Sequence, residues 1–146
     1  MKISSMVSVF VVAVLAGGCA ATGGNSNVAQ DKVVYHVNDS KVQAVNALRN
    51  IGNHLEVNPQ AKIVVVTHAQ GVDFLFDGAK DANGNPFNIP VEQLKSRGVQ
   101  FDVCDITLRN RKLTRSRFIP EASFVPSGVA EITRLQQREG YAYLRP

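Results

Sequence analysis

The sequence predicts an α/β sandwich built around a mostly parallel sheet of about five strands. Two observations carry this expectation. From Lys32 to the C-terminus, β-rich runs alternate with segments of helical periodicity. One of those runs, "KIVVVTHA" (Lys62 to Ala69), is almost continuously apolar, as a strand covered on both faces must be. Strand–helix alternation of this kind selects a layered α/β domain.

The first residues read differently. Lys2 precedes "MVSVFVVAVLA" (Met6 to Ala16), an apolar run interrupted only by Ser8. Eleven helical residues span about 16 Å, too short for a bilayer core of about 30 Å. A basic start, a short apolar run and a small-residue end make residues 1–18 a secretory signal peptide. A buried core helix is the competing reading, but such a helix would carry a polar face and this run has none. "LAGGC" then places Cys19 where a bacterial lipobox has its acylated cysteine, although Ala16 stands where that box has leucine. Cleavage by an ordinary signal peptidase nearby is the alternative. Residues 19–30, with "ATGGNSN", read as a lipidated cysteine and a flexible tether of small and polar residues. Ala20 follows the cysteine and no aspartate does. By resemblance to enterobacterial sorting, that points to the outer membrane rather than the inner. The chain is thus expected in the bacterial cell envelope as a periplasm-facing lipoprotein, touching the membrane through its lipid anchor only.

Residues 31–146 are expected to form the domain. "KVVYHVND" (Lys32 to Asp39) is the first strand. Val42, Val45, Leu48, Ile51 and Leu55 then recur every three or four residues, predicting a helix over Ser40 to Val57 with Asp39 or Ser40 as its N-cap. Lys62 to Ala69 is the second strand, and a short helix is expected over Gly71 to Asp77. "KDANGNPFNIP" is a loop, "VEQLKSRG" a short helix stopped by Gly98, and Val99 to Asp105 the third strand. Ile106 to Arg117 is basic and expected to be partly helical. Ala122 to Pro126 is a short fourth strand. Ser127 caps a helix with an apolar face of Val129, Ile132 and Leu135, ended by Gly140, and "YAYLRP" is the last strand.

Parallel sheets place ligands at the carboxyl ends of their strands. His36 with Asn38, His68, and Cys104 all fall at such ends. Beyond Cys19, Cys104 is the only cysteine, so it has no structural disulfide partner in an oxidising compartment. It is either a reactive thiol or a small buried hydrophobe. Thiolate is the reactive form, and nearby cations or helix N-termini favour it. "RNRKLTRSR" (Arg109 to Arg117) holds five cations and no acid; it is either a solvated helix face or a steering surface for an anion. Asp105, next to the thiol, is expected to oppose a lowered pKa. Two histidines and a thiol suit copper or zinc, but no close-spaced ligand motif is present, so no metal ligands are assigned. His54 is read as structural. "DANGNPFNIPVE" matches the acidic spacing of a calcium loop, yet Pro86 stands where glycine must turn the chain, and the stretch reads as an ordinary loop. No phosphate-binding glycine loop, nucleophile elbow or nucleic-acid signature occurs, and a net charge of +4 is too modest to imply nucleic acid. No cofactor is expected.

In this order, "KVVYHVND", "NALRNIGNHLE", "KIVVVTHAQGVDFL", "LKSRGVQFDVCDITL" and "FVPSGVAEITRLQQREGYAYLRP" resemble the DsrE/DsrF-like family, and within it the exported branch. The resemblance covers Lys32 to Pro146. It implies a flavodoxin-like α/β fold and assembly into homotrimers or hexamers. It also implies that Cys104, in the family's recurrent cysteine segment, carries sulfur as a persulfide and exchanges it with a donor or acceptor protein. On that reading Cys104 is the acceptor, His68 or His36 assists, and Arg109 or Arg111, with Asn38, meets an anionic donor. The alternatives are a non-enzymatic oligomeric module that binds a ligand or metal at the same strand ends, and a structural protein in which Cys104 is packing.

Overall fold

The computed structural model describes residues 30–146. The expected signal peptide, Cys19 and residues 20–29 of the tether lie outside the described residues. Five strands, β1 (Lys32–Asp39), β2 (Lys62–Gln70), β3 (Gln100–Cys104), β4 (Ala122–Val125) and β5 (Ala142–Leu144), form one sheet in the order β4-β3-β2-β1-β5. Every neighbouring pair is parallel. The helices are α1 (Ser40–Val57), α2 (Asn88–Ser96), α3 (Asp105–Arg111) and α4 (Gly128–Glu139). The fold is the expected α/β, flavodoxin-like sandwich.

The two faces of the sheet follow from the period of two along each strand. Val33, Tyr35, Val37, Ile63, Val65, Phe101 and Val103 point into the larger core, with Leu48, Ile51 and Leu55 of α1 and Val91 and Leu94 of α2. Each such aliphatic side chain contributes about 1.5–3 kcal/mol by leaving water. The alternate residues, Val34, Val64 and Val66, meet Ile132 and Leu135 of α4 in a much smaller core. The chain moves outward from β1 to β4 and then returns past β1 to β5. Right-handed crossovers in opposite directions place their helices on opposite faces, which is why α4 lies alone on its side.

Caps follow the sequence. Asp39 Oδ1 accepts from Lys41 N at the start of α1, Ser127 Oγ accepts from Ala130 N at the start of α4, and Gly140, at φ 74°, closes α4. Several expectations are corrected. Val42 and Val45 do not join the buried face of α1; they are 70% and 49% exposed, and Ser40, Gln43, Ala44 and Ala47 take their place. Those small or polar side chains let the helix approach the sheet, while Val42 lies roughly opposite them at 3.6 residues per turn. Val129 is likewise 62% exposed, with Gly128 on the buried side. The helix expected over Gly71 to Asp77 is a single 3-10 turn, Asp73–Leu75. α2 begins three residues before "VEQ", because Pro90 sits in its first turn where its missing N–H costs nothing. β3 ends at Cys104, and Asp105 already belongs to α3. In the loop that mimics a calcium site, the Asp81 carboxylate is engaged by Asn83 N, Asn85 N and Asn85 Nδ2, an Asx turn.

One buried charge stands out. Asp102 on β3 is fully buried on the α4 face, and its carboxylate accepts only from Gln100 Nε2, at 2.8 and 3.0 Å. Burial pushes its pKa up, and the Gln100 amide offsets this in part. A carboxyl whose folded pKa is raised contributes stability below its unfolded pKa and loses it as pH rises. Asp102→Asn is therefore expected to raise Tm at pH 7 by roughly 4 °C, the scale of about 1 kcal/mol for a domain this size. The gain should shrink as pH falls toward 3.8, the ordinary aspartate value. A gain independent of pH in thermal melts would refute the assignment.

Candidate functional site

Cys104 ends β3 and occupies the position before the first turn of α3, with φ −75° and ψ 117°. Its side chain points to the α4 face, as its spacing from Asp102 requires. There it is 4% exposed. Burial alone would push the thiol pKa up, but hydrogen bonding from the N–H groups of Gly128, Thr107 and Ile106 and from the Thr107 hydroxyl lowers it, and the net shift is downward from 9.0. The backbone holds Thr107 in place, since its Oγ1 accepts from Ala69 N at 2.9 Å, which leaves its hydroxyl proton for the sulfur. Gly128 packs tightly against the site. A Cβ there would lie 3.3 Å from Cys104 Cβ, 3.3 Å from Thr67 O and 3.4 Å from His68 Cβ.

His68 lies near the end of β2, the next strand, and shares with Cys104 a cleft of about 380 Å³, also lined by Thr107, Asn110, Arg111 and Ser127. Its Nε2 lies 2.6 Å from His36 Nε2 on β1, and His36 Nδ1 lies 2.7 Å from the Tyr143 hydroxyl on β5. Thiol, two imidazoles and phenol thus run across four adjacent strands. Burial lowers the pKa of both rings, and for His36, where His68 and Arg145 add to it, the value falls to about 4. Both are neutral at physiological pH.

The arginines divide. Arg111 lines the cleft, tied to Ala69 O and to Asp73 Oδ1 at 2.8 and 2.6 Å. Arg109 is exposed on α3 and does not line the cleft. Asn38 is also placed elsewhere: its Oδ1 accepts from Arg145 and its N–H donates to Gln43. Asp105 does not oppose the thiolate as expected, because Arg115 pairs with it at 2.8 Å and the thiol pKa is shifted downward. His54 pairs with Asp31 at 3.2 Å, away from the cleft. Sequence reasoning missed Thr107, Gly128 and Tyr143. Among the described residues no group of three or more His, Cys, Asp or Glu side chains is arranged to hold a metal ion.

Comparison with known proteins agrees with this architecture. The structure of MTH1491 from Methanobacterium thermoautotrophicum, a protein of unknown function, is 28% identical with a TM-score of 0.71, covering 80% of this chain and all of that one. The ychN protein from E. coli shares the fold at 15% identity and a TM-score of 0.64, covering 79% of this chain and all of that one. No curated protein is significantly similar to the chain. The model of the DsrE/DsrF-like family matches residues 32–146, and the chain belongs to that family.

Proposed function

We propose that the protein is a sulfur carrier of the cell envelope, with sulfurtransferase chemistry at Cys104. The observation that carries this reading is the cleft that Cys104 shares with His68, where hydrogen bonding holds the thiol pKa below its ordinary value. A thiolate or perthiolate needs hydrogen bonds where water is excluded, and Gly128, Thr107 and Ile106 supply them. The Cys104 thiolate attacks the outer sulfur of a sulfane donor such as thiosulfate. The donor's S–S bond breaks, its electron pair leaves on sulfite, and Cys104 keeps the sulfur as a persulfide. Transfer to an acceptor thiolate reverses the geometry and restores the Cys104 thiolate. Arg111, at the cleft wall, faces the incoming anion. Export on a signal peptide with lipidation at Cys19, and facing of the periplasm from the outer membrane, belong to the same proposal and rest on the leader sequence. So does a trimeric or hexameric assembly, supported by the exposed Val42, Val45 and Val129.

Incubating the reduced protein with thiosulfate or polysulfide and reading the intact mass tests the reading. The expected result is the gain of one sulfur atom, removed by dithiothreitol and absent in Cys104→Ser. No gain on a thiol that iodoacetamide still alkylates overturns it.

A further inference from the structure

His68, His36 and Tyr143 form a row of hydrogen bonds that leads away from the thiol cleft. His36 can donate through one ring nitrogen only if it accepts through the other, since it is neutral. The hydrogen bonds therefore exist in two complete patterns. In the first, His68 Nε2–H donates to His36 Nε2, His36 Nδ1–H donates to the Tyr143 oxygen, and His68 Nδ1 is a bare lone pair. In the second, Tyr143 donates to His36 Nδ1, His36 Nε2–H donates to His68 Nε2, and His68 Nδ1 carries a proton. Among the described residues no partner engages His68 Nδ1 and no buried side-chain nitrogen or oxygen is left unsatisfied, so this atom is open to solvent in the cleft. At the far end, Tyr143 is 40% exposed.

We propose that Tyr143 and His36 are the outer part of a proton path that joins the Cys104 cleft to solvent through His68. The inference deepens the sulfur-carrier reading and rests on it for the purpose of the path. When the thiol ionises, its S–H bond breaks as a proton reaches His68 Nδ1 through the cleft. The Nε2 proton of His68 passes to His36 Nε2, the Nδ1 proton of His36 passes to the Tyr143 oxygen, and the phenolic proton leaves to water or a buffer base. Each ring gains one proton and loses one, so both end neutral with the opposite tautomer. The product is a thiolate, one proton in solvent, and a His68 Nδ1–H that now faces the cleft as a donor to the charged sulfur.

The surroundings favour a path that never rests charge on a ring. Arg145, bonded to Asn38, is a cation whose charge reaches His36 and opposes an imidazolium there. Arg111 at the cleft is paired with Asp73, and Asp105 beside the thiol is paired with Arg115. On α4, Glu131 and Arg134 pair with each other, and their influence falls on Asp102.

Imidazole 15N spectra of the intact domain across the thiol titration test the path, with thiolate followed by its ultraviolet absorbance. The expected result is that His36 and His68 both exchange their pyrrole-type and pyridine-type nitrogen signals at the midpoint of the Cys104 thiol, and that the exchange is lost in Cys104→Ala. Tautomers that stay fixed while Cys104 ionises overturn the path and leave the carrier reading standing. A tautomer exchange in a protein that takes up no sulfur from thiosulfate or polysulfide supports the path and overturns the carrier reading instead.

Discussion

Replacing Gly71 with alanine is expected to cost the domain about 3 kcal/mol or more, the upper end of overpacking. In thermal unfolding this is a fall in Tm of roughly 12 °C or more for a domain of this size. A Cβ on Gly71 would sit 2.0 Å from Val37 O, 2.5 Å from Val37 C and 2.7 Å from Asn38 Cα. All three are backbone atoms, so no side chain can rotate away. The contact lies where β1 departs from regular register: Val37 pairs with Thr67, but Asp39 pairs with Gln70. Gly71 N donates to His68 O at 2.8 Å, and Ser40 Oγ ties the same turn to Gln70 O. Relief of the clash must therefore part the ends of β1 and β2, the strands that hold His36 and His68 within 2.6 Å. Loss of stability should be accompanied by loss of the coupling between the two rings. A change below about 1 kcal/mol would show that the turn relaxes freely and that Gly71 is not needed for close approach.

The same turn shows what the sequence could and could not reveal. Strand period and apolar runs placed His36, His68 and Cys104 at the ends of parallel strands, because those signals depend on neighbours along the chain. The order β4-β3-β2-β1-β5 then sets the thiol and both imidazoles on one face. Periodicity failed on α1, where Val42 and Val45 continue an apolar pattern that the fold turns to solvent. Alanine and serine at the true contact give a weak hydrophobic signal, although their small size is what allows the approach. The residues that tune the sulfur were hidden for another reason. Thr107 acts through a hydrogen bond from Ala69, 38 positions away, and Gly128 through its closeness to Cys104 and His68. Tyr143 reaches His36 from the last strand, 107 positions on. Such partners are set by tertiary structure, and no local pattern announces them. The basic run misled in the opposite sense. Two of its five cations are bound to Asp73 and Asp105, so it is not the free positive surface its composition suggests.

Thr107→Val is expected to slow alkylation of Cys104 at neutral pH by about tenfold, the equivalent of one hydrogen bond of ~1.5 kcal/mol to a charged acceptor. Valine keeps the shape of threonine and removes the hydroxyl that helps to lower the thiol pKa. It also strips Ala69 N–H of its acceptor, at a further cost of about 1–3 kcal/mol in folding stability. Thr107→Ser keeps both hydrogen bonds and should restore both properties, which separates the hydroxyl from simple packing. The pH dependence has a definite sign. A thiol whose folded pKa is depressed contributes stability above its unfolded pKa and loses it as pH falls through the folded value. The stability of the native protein relative to Cys104→Ala should therefore grow with pH from below the folded thiol pKa and level off above the ordinary value of 9.0. The slope should be smaller in the Thr107→Val background, where the thiolate has lost one of its donors. A relative stability that falls over this range would mean that burial, not the donor set, governs the sulfur, and that Cys104 is held in the fold as a neutral thiol.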